Sequence, residues 1–203
     1  MAVEAVVHII DDDDAVRQSL AFLLGTAGVA VRTYESAVAF VGALPKIGAG
    51  CVITDVRMPG MTGMELLGYF KEHQIGLPVI VITGHGDVPL AVEAMKIGAV
   101  DFIEKPFDDD VMLAAVRAAL TRGEITGKRD AERAEIEERI KRLSPRERDV
   151  LQGLVGGHPN KIIAYNLGIS PRTVEIYRAN VMSKMEAPSL SDLVRMALIA
   201  EIF

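Results

Sequence analysis

Residues 5–14 read AVVHIIDDDD, and that stretch decides how the first half of the chain is read. An apolar run from Val6 to Ile10 ends on four aspartates, as a buried strand does where it emerges from a sheet. Four further runs share this character: Val29–Thr33, Cys51–Thr54, Val79–Thr83 and Asp101–Glu104. Between them lie segments with helical spacing, at Ala15–Ala27, Ser36–Leu44, Gly63–His73, Val88–Ile97 and Asp109–Leu120. Five βα repeats with short connections predict an α/β domain on a doubly wound, five-stranded parallel sheet. The ligand crevice of such a sheet lies at the carboxyl ends of its strands.

Working outward, the 203 residues are 50% apolar and 25% charged, which excludes a disordered or low-complexity chain. A single cysteine, Cys51, excludes a disulfide-stapled scaffold. The first residues, MAVEAVVHII, lack a basic leader region, and no run approaches the roughly 18 apolar residues of a membrane span. The expectation is a soluble, cytoplasmic protein. Its charge is uneven. Residues 1–122 carry 9 Lys and Arg against 16 Asp and Glu, whereas residues 143–203 carry 7 against 6. The acidity belongs to the first part, so the last sixty residues are an electrostatically different object.

Residues 123–142 read GEITGKRDAERAEIEERIKR, twelve of them charged. Glu135–Arg139, Glu137–Lys141 and Glu138–Arg142 stand at i,i+4 in the favourable order, and Ile136, Ile140 and Leu143 form a narrow apolar seam. This predicts a charged, helical linker, with a plain solvated spacer as the other reading. Beyond it come four helix signals. Ser144-Pro145-Arg146-Glu147 has the form of a capping box with proline at the first helical position. Asn160–Leu167, a turn at Gly168-Ile169 and Ser170–Met185 have helix-turn-helix spacing, and Ser189 with Asp192 opens a last helix.

Two sets of residues carry chemistry. Asp11 and Asp12 follow the first predicted strand and Asp55 ends the third, so three carboxylates are expected to converge in one crevice. Three such charges need a counter-ion, and a hard divalent cation with oxygen ligands, Mg2+, is the natural one. Thr83 and Lys105 end the fourth and fifth strands. A carboxylate nucleophile, a cation, a hydroxyl and an ammonium are the parts that hold a phosphoryl group. Singly, each has a plainer role: a solvated turn, a β-former, an exposed charge. Asp13 and Asp14 are expected in the first turn of the following helix, where its dipole favours them. On the Ser170–Met185 helix, Arg172, Thr173, Glu175, Tyr177, Arg178, Asn180 and Lys184 surround an apolar side of Val174, Val181 and Met185. That mixture suits a duplex surface, although it also suits an ordinary solvated helix.

On these residues the first domain, 1–122, resembles the receiver domain of two-component response regulators. Ile9-Ile10-Asp11-Asp12, Asp55 through Gly63, Val81-Ile82-Thr83-Gly84 and Phe102 through Phe107 carry the likeness. It implies a flavodoxin-like sheet and a phospho-acceptor at Asp55. Mg2+ would be held by Asp12, Asp55 and the carbonyl of Arg57, with Asp11 acting through water. Thr83 and Lys105 would bind phosphoryl oxygens, Phe102 would switch rotamer with Thr83, and the Lys105–Pro106 bond would be cis. Residues 143–203 resemble the all-α, four-helix DNA-binding domain of the LuxR, NarL and FixJ family. Leu143 through Leu151, Asn160 through Ala164, Ser170 through Glu175 and Lys184-Met185 carry that likeness, with Tyr177 where histidine is common. Thr83 through Pro89 and Arg178 through Met182 extend it along the whole chain.

Together the likenesses imply a phosphorylation-switched transcriptional activator rather than an enzyme, acting on nitrogen-fixation or oxygen-responsive genes. A FixL-like sensor histidine kinase, promoter DNA, RNA polymerase and a second copy of this chain would be its partners. Lys161, Arg178 and Lys184 are expected to contact phosphates. Arg172, Thr173 and Glu175 include the expected base readers, with Ile176 and Tyr177 beside them. Receivers would pair through Val88–Ile97 and Asp101–Glu104, and the DNA domains through Leu190–Ile199. The alternative is an aspartyl-phosphate phosphohydrolase. That chemistry needs a second acid two residues after the nucleophile, where this chain has Arg57.

Overall fold

A computed structural model describes residues 5–84 and 88–201. His85, Gly86 and Asp87, part of the motif that starts at Thr83, lie outside the described residues. The chain forms two compact units, Met1–Gly127 and Lys128–Phe203.

In the first unit, strands β1 (Val6–Ile10), β2 (Ala30–Tyr34), β3 (Gly50–Asp55), β4 (Val79–Thr83) and β5 (Asp101–Glu104) alternate with helices α1 (Asp14–Thr26), α2 (Ala37–Ala43), α3 (Gly63–Glu72), α4 (Val88–Ile97) and the first part of α5 (Asp109–Lys141), whose residues from 128 on belong to the second unit. All pairings are parallel, in the order β2-β1-β3-β4-β5. Alternation along each strand builds two cores. Val7 and Ile9 face one side with Cys51, Ile53, Ile80, Ile82, Met112 and Val116. Ile10 faces the other with Phe40, Val52, Leu66, Phe70 and Val81. Both faces are covered, which is why these strands are near-continuous apolar runs. The doubly wound parallel sheet read from the sequence is the observed one.

Two boundaries differ from those expected. Asp13 is the N-cap of α1, its carboxylate accepting the Ala15 N–H at 2.8 Å, so only Asp14 stands in the first turn. Helix α5 does not stop near Leu120 but continues to Lys141. Gly123 lies within it, where a side chain would stand 3.1 Å from the Gly50 carbonyl and 3.3 Å from the Pro78 ring. Ion pairs within its charged stretch include Glu135–Arg139, Arg133–Glu137 and Glu138–Lys141.

The second unit packs α6 (Pro145–Val155), α7 (Asn160–Leu167), α8 (Pro171–Met185) and α9 (Leu190–Ile199) around Val150, Leu151, Ile163, Val174, Val181, Met185 and Leu193. Ile136 and Leu143 are buried in this core with Ile140 against it, so the apolar seam of the charged stretch is packed rather than solvated. Ser144 and Glu147 form the full capping box. Gly168 ends α7 at φ 65°, the left-handed conformation that glycine adopts without strain, and Ser170 caps α8 with Pro171 at its first position.

Candidate functional site

Asp11 follows β1 and Asp55 ends β3, the strands that flank the point where strand order reverses. Their side chains meet on one cation. Lys105 Nζ, carried by the segment after β5, donates to Asp11 Oδ2 at 2.8 Å and to Asp55 Oδ1 at 2.7 Å. Asp11 is 1% exposed and Asp55 7%. Partial burial works against the charged form of Lys105, but the hydrogen bonds and charges of Asp11 and Asp55 outweigh it and raise its pKa above the ordinary value. The remaining carboxylate oxygens accept main-chain N–H groups, Asp11 Oδ1 from Asp13 at 2.9 Å and Asp55 Oδ2 from Arg57. Thr83 is buried at the end of β4, half-buried Phe102 lies on β5, and the Lys105–Pro106 bond is cis.

Of the three carboxylates expected to converge, Asp11 and Asp55 meet on Lys105. Asp12 is exposed, and among the described residues no three carboxylate, imidazole or thiol side chains form a metal cluster. The reason is local: Asp11 is turned inward by the Lys105 ammonium and the Asp13 N–H, which leaves Asp12 at the solvent edge. The donor set still fits a hard divalent cation. Two buried carboxylates lie side by side, a third is next in the chain, and every donor is oxygen.

In the second unit, α8 buries Val174, Val181 and Met185 and exposes Arg172, Glu175, Ile176 and Lys184. Thr173, Tyr177 and Arg178 are half-buried. Lys161 on α7 lines one open groove with Glu175 and Arg178. Lys184 is placed differently. Its ammonium donates to Glu147 Oε2 at 2.7 Å, tying α8 to the capping box of α6. That bond first, then the Ser144 N–H, holds the Glu147 carboxyl below its ordinary range.

Residues 7–117 match the response regulator receiver domain, and residues 141–197 match the bacterial regulatory proteins of the luxR family. The transcriptional regulatory protein FixJ of Azorhizobium caulinodans is 60% identical over 196 residues, 97% of this chain and 93% of that protein.

The chain belongs to the FixJ/NarL/LuxR family of response regulators.

Among solved structures, the response regulator StyR has a TM-score of 0.82 at 37% identity, over 97% of this chain and 99% of that one. Full-length FixJ from B. japonicum has a TM-score of 0.60 at 52% identity, with both chains fully covered. A receiver and a DNA-binding domain share one chain here, and no described helix is long and apolar enough to cross a membrane.

Two residues of this response regulator's site escaped the sequence reading. A side chain at Gly63 would lie 2.1 Å from the Asp55 carbonyl, so glycine alone lets α3 start against the end of β3. Gly63 N–H also donates to the Val56 carbonyl at 3.0 Å, folding the intervening loop back. Arg17 is the second: Nη1 donates to the Asp11 carbonyl at 2.7 Å. The only available signal was its place one turn into α1, three residues after Asp14.

Proposed function

We propose that Asp55 accepts a phosphoryl group from a sensor histidine kinase, FixL-like in kind, and that this drives receiver pairing and transcription activation. One observation supports the reading above others: a single ammonium, Lys105, bridges the buried Asp11 and Asp55. Such a cation tracks incoming phosphoryl oxygens and holds the acceptor carboxylate in line. An Asp55 oxygen attacks phosphorus, the P–N bond to the kinase imidazole breaks, and its electron pair stays on the leaving nitrogen. Mg2+ suits the carboxylates of Asp11, Asp12 and Asp55 together with the Arg57 carbonyl. When bound, it supplies positive charge to the phosphoryl oxygens. Thr83 donates to the same oxygens, and Phe102 follows it.

The working parts are a receiver, 1–122, a helical linker, 123–142, and a DNA-binding domain, 143–203. Exposed Val88, Val92 and Met95 give α4 an apolar surface for a second receiver. Two linked DNA domains then bind half-sites with the avidity that one lacks. Lys161 and Arg178 meet phosphates, and Arg172, Thr173 and Glu175, flanked by Ile176 and Tyr177, face the bases. The protein acts in the cytoplasm with RNA polymerase, on nitrogen-fixation or oxygen-responsive promoters.

The test is incubation with acetyl phosphate and Mg2+, followed by sedimentation. A stoichiometric, base-labile adduct and a dimer that Lys96→Glu weakens are the expected results. Steady phosphate release without an adduct would instead favour a phosphohydrolase.

A further inference from the structure

Arg17 stands on α1 above the acidic loop, and its side chain is 15% exposed. Its guanidinium makes two bonds of different kinds. Nη1 donates to the main-chain carbonyl of Asp11 at 2.7 Å, and Nη2 donates to Asp14 Oδ1 at 2.9 Å. Asp14 is held from its other oxygen by Gln18 Nε2 at 2.7 Å. The fork therefore grips the backbone of the loop and is itself anchored on the helix. The Asp11 carbonyl belongs to the peptide joining Asp11 to Asp12. Because that peptide is planar, fixing its oxygen fixes the direction in which Asp12 leaves. The next residue is fixed too, since Asp13 N–H donates to Asp11 Oδ1 and Asp13 Oδ1 caps α1. Asp12 is exposed between two immobilised neighbours.

We propose that Arg17 is a positioning residue for cation binding: with Asp14 it locks the Asp11–Asp12 peptide, so that the exposed Asp12 carboxylate leaves the loop in a fixed direction at the rim of the crevice that holds Asp11 and Asp55. The inference rests on the reading of this crevice as a Mg2+ site. Groups that orient a metal ligand without touching the metal are worth about 10–100-fold in affinity. Simple electrostatics predicts the opposite sign. A guanidinium beside an acidic cluster repels a second cation, so removing its charge should tighten Mg2+ binding. The direction of the change therefore separates positioning from plain charge.

The experiment is calorimetric titration of the full-length protein with MgCl2 alone, beside thermal melts without Mg2+. In Arg17→Gln the Mg2+ Kd should rise by about 10-fold. Labelling of Asp55 by acetyl phosphate should slow at low Mg2+ and recover at saturating Mg2+. Arg17→Lys keeps the charge but loses the fork, so it should fall between Arg17→Gln and the wild type. If Arg17→Gln does not fold, the lysine variant carries the test, since weakening at constant charge has to be geometric. Unchanged or tighter Mg2+ binding in the folded variants overturns the clamp alone. A wild-type protein that takes up no Mg2+ overturns the site reading, and the clamp with it.

Discussion

The two units handle charge in opposite ways. In the first, Asp11, Asp55 and Lys105 are mostly withdrawn from solvent and bonded to one another before any ligand arrives. In the second, Arg172, Glu175 and Lys161 stand at the surface. A phosphoryl-transfer site needs groups whose orientation is settled in advance, because reorganising dipoles during the reaction costs rate. A duplex-binding helix needs cations that exchange water and counterions for phosphates, so it keeps them exposed. The contrast explains why long-range bonds define the first site while helix periodicity defines the second.

The sharpest way to break this comparison is Asp55→Asn. An amide is a poor nucleophile, so phosphoryl incorporation should vanish, and labelling at the wild-type level would move the acceptor elsewhere. Next in size, Lys105→Ala should bind Mg2+ and accept a phosphoryl group more slowly, yet lose the DNA-binding response even once labelled. Operator titrations with and without acetyl phosphate read this directly, and a normal response would take Lys105 out of the switch.

Acid should separate the units. His8 is 2% exposed on β1, with Nδ1 against the Tyr34 hydroxyl at 3.2 Å and Nε2 buried without a hydrogen-bond partner among the described residues. Burial, helped by the Arg32 charge, pushes its pKa from the ordinary 6.5 down to about 4. The fold prefers the neutral ring, so this contribution is complete above pH 6.5 and is lost as pH falls towards 4. The linked loss is about 3 kcal/mol, all of it in the first unit. Urea unfolding at pH 7 and pH 4.5 should show it in the wild type, and His8→Phe should lack that part of the acid sensitivity.

Smaller effects belong to the exposed surface. Glu175→Ala should cost roughly 1–3 kcal/mol at one operator position and relax specificity there. Equal weakening on every single-base operator variant would mean that Glu175 reads no base. The smallest difference is also the most diagnostic for the contrast. Lys161→Ala should lower the salt slope of DNA binding by about one unit. Lys184→Ala should leave the slope unchanged and lower the thermal stability of the second unit by about 1–2 kcal/mol, because its ammonium serves Glu147. A slope change at Lys184 would place it on the DNA despite its internal bond.

Taken alone, the sequence determined the local architecture. Apolar runs at the right spacing identified all five strands, Ser144-Pro145-Arg146-Glu147 announced its capping box, and Gly168 marked the turn between α7 and α8, because propensity and capping act within a few residues. The strand ends bearing Asp11, Asp55, Thr83 and Lys105 followed from the same pattern. Only the tertiary structure decided which partners these groups take. Asp11 rather than Asp12 turns inward because its partner Lys105 lies 94 residues on, and Lys184 meets Glu147 across 37. Arg17 reached the Asp11 carbonyl, and Gly63 the Asp55 carbonyl, only once helix and strand ends had been packed together. α5 outran its expected end, passing through Gly123 where it lies close to Gly50 and Pro78. A periodic pattern records which face of an element is buried, but a side chain's hydrogen-bond partner depends on distances that exist only after the sheet has formed.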